Sequence, residues 1–304
     1  MTDSINFLYC FDENYNFQAF TSMISLLDEV DEKINIHVIH TSKKFYEVLP
    51  KKIVGHENLN NINVYEFSNY DFNFPNINNV HISVATYFRL FIKNYIDNQI
   101  SSLVFLDPDV VCLKNPLIEI RKIILELKKS TYVISAKTEH TMGEKRIGVD
   151  KNYFNAGVMV IDFNKWVGDD LHNMLLTKLE QISENILQWD QDVLNSFFNG
   201  KYLELEEKFN FKASSEITKD YKNELTFIHF IGSHKPWLTS GAFQKDSNFY
   251  HENFRKIFNT NFHIEHKWKT RSIFDLIIAI LTFKIFKIKK PLIYIFEFIK
   301  SLFL

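Results

Sequence analysis

Residues 103–111 read LVFLDPDVV. Four apolar residues run directly into two aspartates separated by one proline. An apolar run of this length is the pattern of a buried strand. Side chains two apart on a strand point to the same side, so Asp107 and Asp109 should emerge together where the strand ends. Pro108 fixes its own φ and restricts Asp107, which stiffens the pair. Two adjacent carboxylates repel each other, and a divalent cation relieves that repulsion; hard oxygen ligands suit magnesium or manganese. The plainer alternative is a capping pair that opens the loop before Asn115-Pro116.

Around this stretch, strands alternate with helices. INFLYCF (5–11), INIHVIH (34–40), NINVYEF (61–67), YVISAK (132–137), GVMVID (157–162) and LTFIHFIG (225–232) have strand patterns. Helical spacing runs from Tyr15 to about Asp28, with Phe17, Phe20, Ile24 and Leu27 on one face, and again over 115–129. A further helix is predicted from Ser83 as N-cap, burying Val84, Phe88, Phe91 and Tyr95. Such alternation predicts an α/β fold with a mainly parallel sheet covered on both faces. Ligands bind such sheets at the carboxyl ends of the strands.

With 304 residues, 46% of them hydrophobic, the chain can bury a full core. The net charge of −2 offers no electrostatic basis for nucleic-acid binding. The only two cysteines, Cys10 and Cys112, lie in apolar runs and read as buried thiols, which suits a reducing cytoplasm. The first residues lack a basic segment followed by a long apolar one, so no signal peptide is expected. No internal repeat is visible.

The D-x-D stretch also resembles the nucleophile motif of haloacid-dehalogenase-type phosphatases. That family needs a late G-D-x-x-x-D motif, and GDDLHN (168–173) ends in Asn173. The motif also lies far from the start of the chain, so this reading is set aside.

Six blocks in one order carry a more specific resemblance: FLYCFDENY (7–15), HISVATYFRL (81–90), VFLDPDV (104–110), YFNAGVMVIDFNKW (153–166), QWDQDVLN (188–195) and HFIGSHKPW (229–237). Together they resemble the family 8 glycosyltransferases, which include bacterial lipooligosaccharide galactosyl- and glucosyltransferases and, more distantly, glycogenin. The resemblance implies a GT-A fold over residues 1–265 that binds a UDP-sugar and manganese, with magnesium as the alternative. It also implies transfer of a hexose (galactose, glucose or an N-acetyl form) to a glycan or glycolipid acceptor with retention of configuration, in cell-surface polysaccharide or lipooligosaccharide synthesis. The alternative is a non-catalytic nucleotide-sugar-binding partner.

By the same resemblance Cys10, Asp12, Asn14 and Tyr15 hold uracil and ribose, although Asp12 or Asn14 alone would read as a helix cap. Arg89, burial-averse in an apolar helix, needs anionic partners; it is expected to bridge the donor and the metal-site carboxylates, or to pair structurally with Asp107. His81 would face the sugar pocket. Ala156 and Gly157, read as a small-residue turn opening a strand, allow close backbone approach, and Asn155 would hold a sugar hydroxyl. Asp190 would bind donor-sugar hydroxyls or merely cap a helix, and Gln191 would sit near the anomeric carbon. Asp107, Asp109 and His229 would be the metal ligands, with Gly232 and Lys235 on the diphosphate. Residues 137–152 should contribute to the acceptor site, although Lys137 stands where relatives often carry an acidic residue.

The last segment, 266–304, differs in character. Lysines 284, 287, 289, 290 and 300 interrupt an aliphatic and aromatic run, and its longest uncharged piece is far short of the roughly 20 residues that span a bilayer. Pro291 should open a second helix. This pattern predicts an amphipathic tail on an anionic membrane surface, placing the protein at the cytoplasmic face, or else two core-packed helices.

Overall fold

Four parallel strands form the first half of the main sheet: β1 (Asn6–Phe11), β2 (Ile34–His40), β3 (Leu59–Glu66) and β4 (Ser102–Leu106). The computed structural model describes residues 4–42, 44–68, 72, 74–75, 83–139, 149, 152–213 and 224–303. His81 and most of the 137–152 stretch lie outside the described residues. The sheet continues through β6 (Ile134–Thr138), β7 (Phe154–Asp162) and β8 (Leu203–Glu204), in the order β3-β2-β1-β4-β7-β6-β8. β7 runs antiparallel to both β4 and β6, so the sheet is mixed rather than uniformly parallel. A second sheet joins β5 (Val110–Cys112), β10 (Phe227–His229) and β9 (Phe211–Lys212), in the order β5-β10-β9. LTFIHFIG therefore supplies a strand outside the main sheet.

The near-continuous apolar strands follow from burial on both faces. One face packs under the 3-10 segment Val84–Asn94 and the helices Leu171–Ile182 and Trp189–Phe198. The other packs under α1 (Asn16–Glu29) and α2 (Leu117–Lys129). Ten consecutive residues of α1, Gln18–Leu27, are buried, because helix Ser247–Ile257 covers the side away from the sheet. Phe17, expected inward, is half-exposed and edges onto Phe258 and His263. Ser83 caps the 3-10 segment, its Oγ accepting the Ala85 N–H at 3.0 Å. Phe88 and Phe91 are buried as the spacing requires, whereas Val84 is exposed. Both cysteines are buried free thiols.

The FNAGV segment opens a strand as expected, β7, but without the turn: all nine residues of β7 are buried. The register against β6 slips there, from Ala136 opposite Met159 to Lys137 opposite Asn155. Such an irregularity re-aims side chains at a sheet edge. Here it directs residues 155–157 toward the end of β4.

The tail forms two helices, Lys269–Leu281 and Pro291–Ser301, the second opened by Pro291 as its first residue. Leu276, Ala279, Ile285, Tyr294 and Phe298 pack with Phe243 and Phe262 of the body. No helix among the described residues is long and apolar enough to cross a membrane.

Two buried histidines make the fold acid-sensitive. Burial lowers His37 to about 4, and burial with the neighbouring His263 lowers His251 to about 3. His251 Nε2 lies 3.0 Å from the Pro236 carbonyl, to which the neutral ring donates. Unfolding returns both rings to ordinary values near 6.5, so the unfolded chain takes up protons that the folded one refuses. This contribution to stability is complete above pH 6.5 and is lost as pH falls toward 4. Denaturant midpoints should therefore drop between pH 7 and 4.5. In His251→Asn the drop should be smaller even though the midpoint at pH 7 is lower; an unchanged drop would contradict the assignment.

Candidate active site

The strand order reverses between β1 and β4, and a crevice opens outside their carboxyl ends, the location expected for a ligand in an open α/β sheet. Asp107 follows β4 directly. The two aspartates converge through a tight turn rather than by strand alternation, with Val110 N–H donating to the Asp107 carbonyl at 3.1 Å. Pro108 takes the second position of that turn, where its fixed φ is favourable. β10 runs antiparallel to β5 with His229 opposite Val110, and Phe230 N–H donates to the Asp109 carbonyl at 3.2 Å. That pairing sets the imidazole beside the carboxylates: His229 Nε2 is 3.1 Å from Asp109 Oδ1 and 3.8 Å from Asp107 Oδ2.

Ligand atoms of Asp107, Asp109 and His229 all lie within 4.8 Å of one another. Two carboxylates and one imidazole suit a borderline-to-hard divalent ion. The floor beneath them is Gly157, whose carbonyl accepts Asp107 N–H at 2.8 Å. A Cβ on Gly157 would strike the His229 ring and stand 2.8 Å from Asp107 Oδ2, so the cluster needs glycine there. Lys235 pairs with Asp109 Oδ2 and donates to the Phe230 carbonyl at 2.7 Å. Burial alone would push the Asp109 carboxyl up; Lys235, then His229, outweigh it and hold the group well below the usual carboxylate range.

Arg89 lies buried behind this cluster. It donates to Asp107 Oδ1 at 2.9 Å and to the Ala156 carbonyl at 2.6 Å, and its Nε stands 2.7 Å from Asp190 Oδ2. The guanidinium also covers the Phe105 ring at 4.0 Å. The pairing with Asp107 expected from sequence is present, and Asp190 is a second partner. Burial pushes the Asp190 carboxyl up to about 7; Arg89 opposes that shift and Asp107 reinforces it. Asp190 does not cap its helix. No side chain caps that helix; Asp192, inside its first turn, reaches back to accept the N–H groups of Leu187 and Gln188 at 2.8 and 2.9 Å. Trp189 enters the helix at φ +46°, a left-handed conformation that costs a bulky residue free energy.

Gln191 is tied at both ends of its amide. Its Oε1 accepts Ala156 N–H at 3.0 Å, and its Nε2 donates to the Tyr153 hydroxyl at 3.3 Å. Tyr153 donates in turn to Asp192 Oδ1 at 2.7 Å. Asn155 donates to Glu139 Oε2 at 3.1 Å. Glu139 falls in the 137–152 stretch expected at the acceptor site, although it was not singled out there; Asn210, which meets both Asn155 and His229, was not legible as a site residue because it belongs to no recognisable block.

At the β1 end, Cys10, Asp12 and Tyr15 line the same cleft, whose volume is about 390 Å³. Asp12 caps the short turn Glu13–Tyr15 by accepting Asn14 N–H at 3.0 Å. Asn14 is exposed and its amide turns back onto Asp12 at 3.3 Å. Gly232, at φ +87°, lines the opposite wall with Lys235. Of the expected site residues that are described, the cleft lining thus gathers all but Asn14 and Gly157, the latter beneath the floor; His81 lies outside the described residues.

The chain belongs to glycosyl transferase family 8, whose model matches residues 6–241. A lipopolysaccharide 1,3-galactosyltransferase of Salmonella typhimurium is 26% identical over 260 residues, 79% of this chain and 75% of that one. A lipopolysaccharide 1,2-glucosyltransferase of Escherichia coli is 26% identical over 253 residues, 77% of this chain and 74% of that one. The solved structure of the galactosyltransferase LgtC with donor and acceptor sugar analogs matches the fold with a TM-score of 0.70 at 22% identity, covering 88% of this chain and 100% of that one. The fold is thus that of the GT-A glycosyltransferases.

Arg89→Ala would strand the Asp107 and Asp190 carboxylates without their shared cation. It should lower stability by about 3–5 kcal/mol, the usual cost of breaking a buried pair. Adding Asp190→Asn should recover part of that loss, and Arg89→Lys should rescue poorly because one ammonium cannot reach three acceptors. Urea denaturation of Arg89→Ala, Asp190→Asn, their combination and Arg89→Lys checks this; purely additive effects of Arg89→Ala and Asp190→Asn would contradict a direct pairing.

Proposed function

We propose that this family 8 glycosyltransferase moves a hexose (galactose, glucose or an N-acetyl form) from a UDP-sugar to a glycan or glycolipid acceptor, with retention of configuration. The cluster of Asp107, Asp109 and His229 at the switch point of the sheet carries this reading. The names of the lipopolysaccharide galactosyl- and glucosyltransferase relatives support a role in cell-surface glycan assembly.

A divalent ion, manganese or alternatively magnesium, would be held by Asp107, Asp109 and His229 and would supply positive charge for a departing diphosphate. The residues around it divide the remaining work. Lys235 brings a second cation to the same edge of the cleft. Arg89 holds Asp107 and Asp190 in place from behind. Cys10, Asp12 and Tyr15 form the wall assigned to the nucleoside, and Asn155, Asp190 and Gln191 the wall assigned to the sugar. A covalent route to retention needs a free nucleophile close to the anomeric carbon. Gln191 Oε1 is engaged by a backbone N–H, and Asp190 is committed to Arg89. This supports attack by the acceptor hydroxyl on the face that the leaving diphosphate vacates, without a glycosyl-enzyme intermediate.

The tail supports attachment to an anionic membrane at the cytoplasmic face. Its outward side exposes Leu281, Phe283, Phe286, Leu292, Phe296 and Phe303. Lysines 284 and 287 lie among them, while Lys289 pairs with Glu252 and Lys290 donates to Asn261. Apolar burial would hold the docked protein, with about 1 kcal/mol from each lysine near the surface, screened by salt.

In a screen of UDP-sugars, one donor should be hydrolysed or transferred with manganese, and EDTA, Asp109→Ala or His229→Ala should each reduce the rate by several orders of magnitude. The first product should keep the donor's α configuration by NMR. Nucleotide-sugar binding with no UDP release under any condition would instead identify a non-catalytic binding protein.

For the tail, replacing Leu281, Phe283, Phe286, Leu292 and Phe296 by serine leaves the inward packing on Phe243 and Phe262 untouched. This variant should stop floating with anionic liposomes while binding UDP as before. Equal flotation of both proteins would refute the membrane assignment.

A further inference from the structure

Asn210 precedes β9 and is buried, with both ends of its amide engaged. Oδ1 stands 2.8 Å from His229 Nδ1, and Nδ2 stands 2.9 Å from Asn155 Oδ1. An amide oxygen and nitrogen are distinguished only by their partners, and here those partners leave no freedom. The Gly157 backbone N–H can only donate, and it meets Asn155 Oδ1 at 3.0 Å. The Glu139 carboxylate accepts from the other end of the Asn155 amide at 3.1 Å. Asn155 therefore presents oxygen to Asn210, Asn210 answers with its NH₂, and its carbonyl is left facing His229. A carbonyl there requires a proton on Nδ1.

We infer that Asn210 is a positioning residue that fixes His229 as the Nδ1–H tautomer, through an amide relay anchored on the Gly157 backbone, and so keeps the Nε2 lone pair turned toward Asp107 and Asp109 for a divalent ion. The inference rests on the metal reading proposed above. Without the relay, the ring has an obvious competing choice. Asp109 Oδ1 is 3.1 Å from Nε2, and a neutral imidazole free to choose would donate Nε2–H to that carboxylate. The lone pair would then point away from the site. The partners on a metal-bound histidine's remote nitrogen set its tautomer and orientation, and losing them costs about 10–100-fold in metal affinity. The relay begins at the residue whose missing Cβ leaves space for the His229 ring, so backbone and tautomer are specified at one point.

The test compares the full chain with Asn210→Leu, which removes both contacts, and Asn210→Asp, which restores an acceptor for Nδ1–H. Manganese affinity in the presence of UDP is read from the EPR signal of the free ion. The protonation of each His229 nitrogen is read from long-range ¹H–¹⁵N spectra of the metal-free protein. The expected result is a proton on Nδ1 in the wild type, its loss from Nδ1 in Asn210→Leu with Nε2 left as the protonated nitrogen, and an about 10–100-fold weaker manganese affinity in that variant. Asn210→Asp should bind closer to wild type than Asn210→Leu. An unprotonated Nδ1 in the wild type overturns the proposal. So does an Asn210→Leu protein with wild-type ring protonation and manganese affinity within twofold. Failure of the wild type to bind manganese would sink the metal reading instead, and the nitrogen spectra would still decide the role of Asn210.

Discussion

The site depends on one buried guanidinium. Arg89 leaves the 3-10 segment Val84–Asn94 and reaches three partners that arrive from separate parts of the chain: Asp107 after β4, the Ala156 carbonyl in β7, and Asp190 in helix Trp189–Phe198. A buried arginine without counter-charges is strongly unfavourable, and buried carboxylates without a cation equally so. Each element is therefore held by the requirement of the others. Arg89 balances Asp107 and Asp190 from behind, and Lys235 balances Asp109 from the front, with the His229 ring beside it. Under the proposed function, the open edge between them is where a divalent cation would add the remaining positive charge. Charge compensation shapes the cleft in advance, as electrostatic preorganisation requires.

Around that point the protein is built to prevent movement. Gly157 brings the floor of the cleft close enough for the His229 ring to rest on it. The Gln191 amide is clamped between a backbone N–H and the Tyr153–Asp192 pair. Trp189 adopts its left-handed backbone conformation one residue before Asp190, so local strain is concentrated at the helix entry that sets the Asp190 position. The tail is handled differently. Its inner side packs onto Phe243 and Phe262, and its outer side remains apolar. A single-sided pack of this kind leaves a surface that water does not favour.

Much of this was legible from residue order. The alternation of apolar strands with amphipathic helices specified an α/β sheet, and the aspartates after LVFL marked the functional end of it. His229 was recognisable because a carboxylate pair and a G-x-x-K-P-W segment framed it. Other features were not legible, for physical reasons. Strand direction leaves no trace in a fully buried strand, so the reversal of β7 was invisible, as was the departure of β10 to a second sheet. FNAGV was legible as a strand opening, but Ala156 and Gly157 suggested a turn there, whereas the missing side chain of Gly157 serves contact with His229 and Asp107. Asp190 reads as a helix cap on paper; only three-dimensional placement pairs it with Arg89 instead. Asn210 acts solely through contacts distant in sequence, which no local pattern encodes.

The central claim is that Asp107, Asp109 and His229 form one cation site completed by the donor nucleotide. Crystals of the protein grown with UDP and manganese, measured at the manganese absorption edge, test it directly. The account predicts one anomalous peak among Asp107 Oδ2, Asp109 Oδ1 and His229 Nε2, with the Lys235 ammonium displaced from Asp109. UDP density in the cleft with no anomalous peak at those three atoms would contradict it.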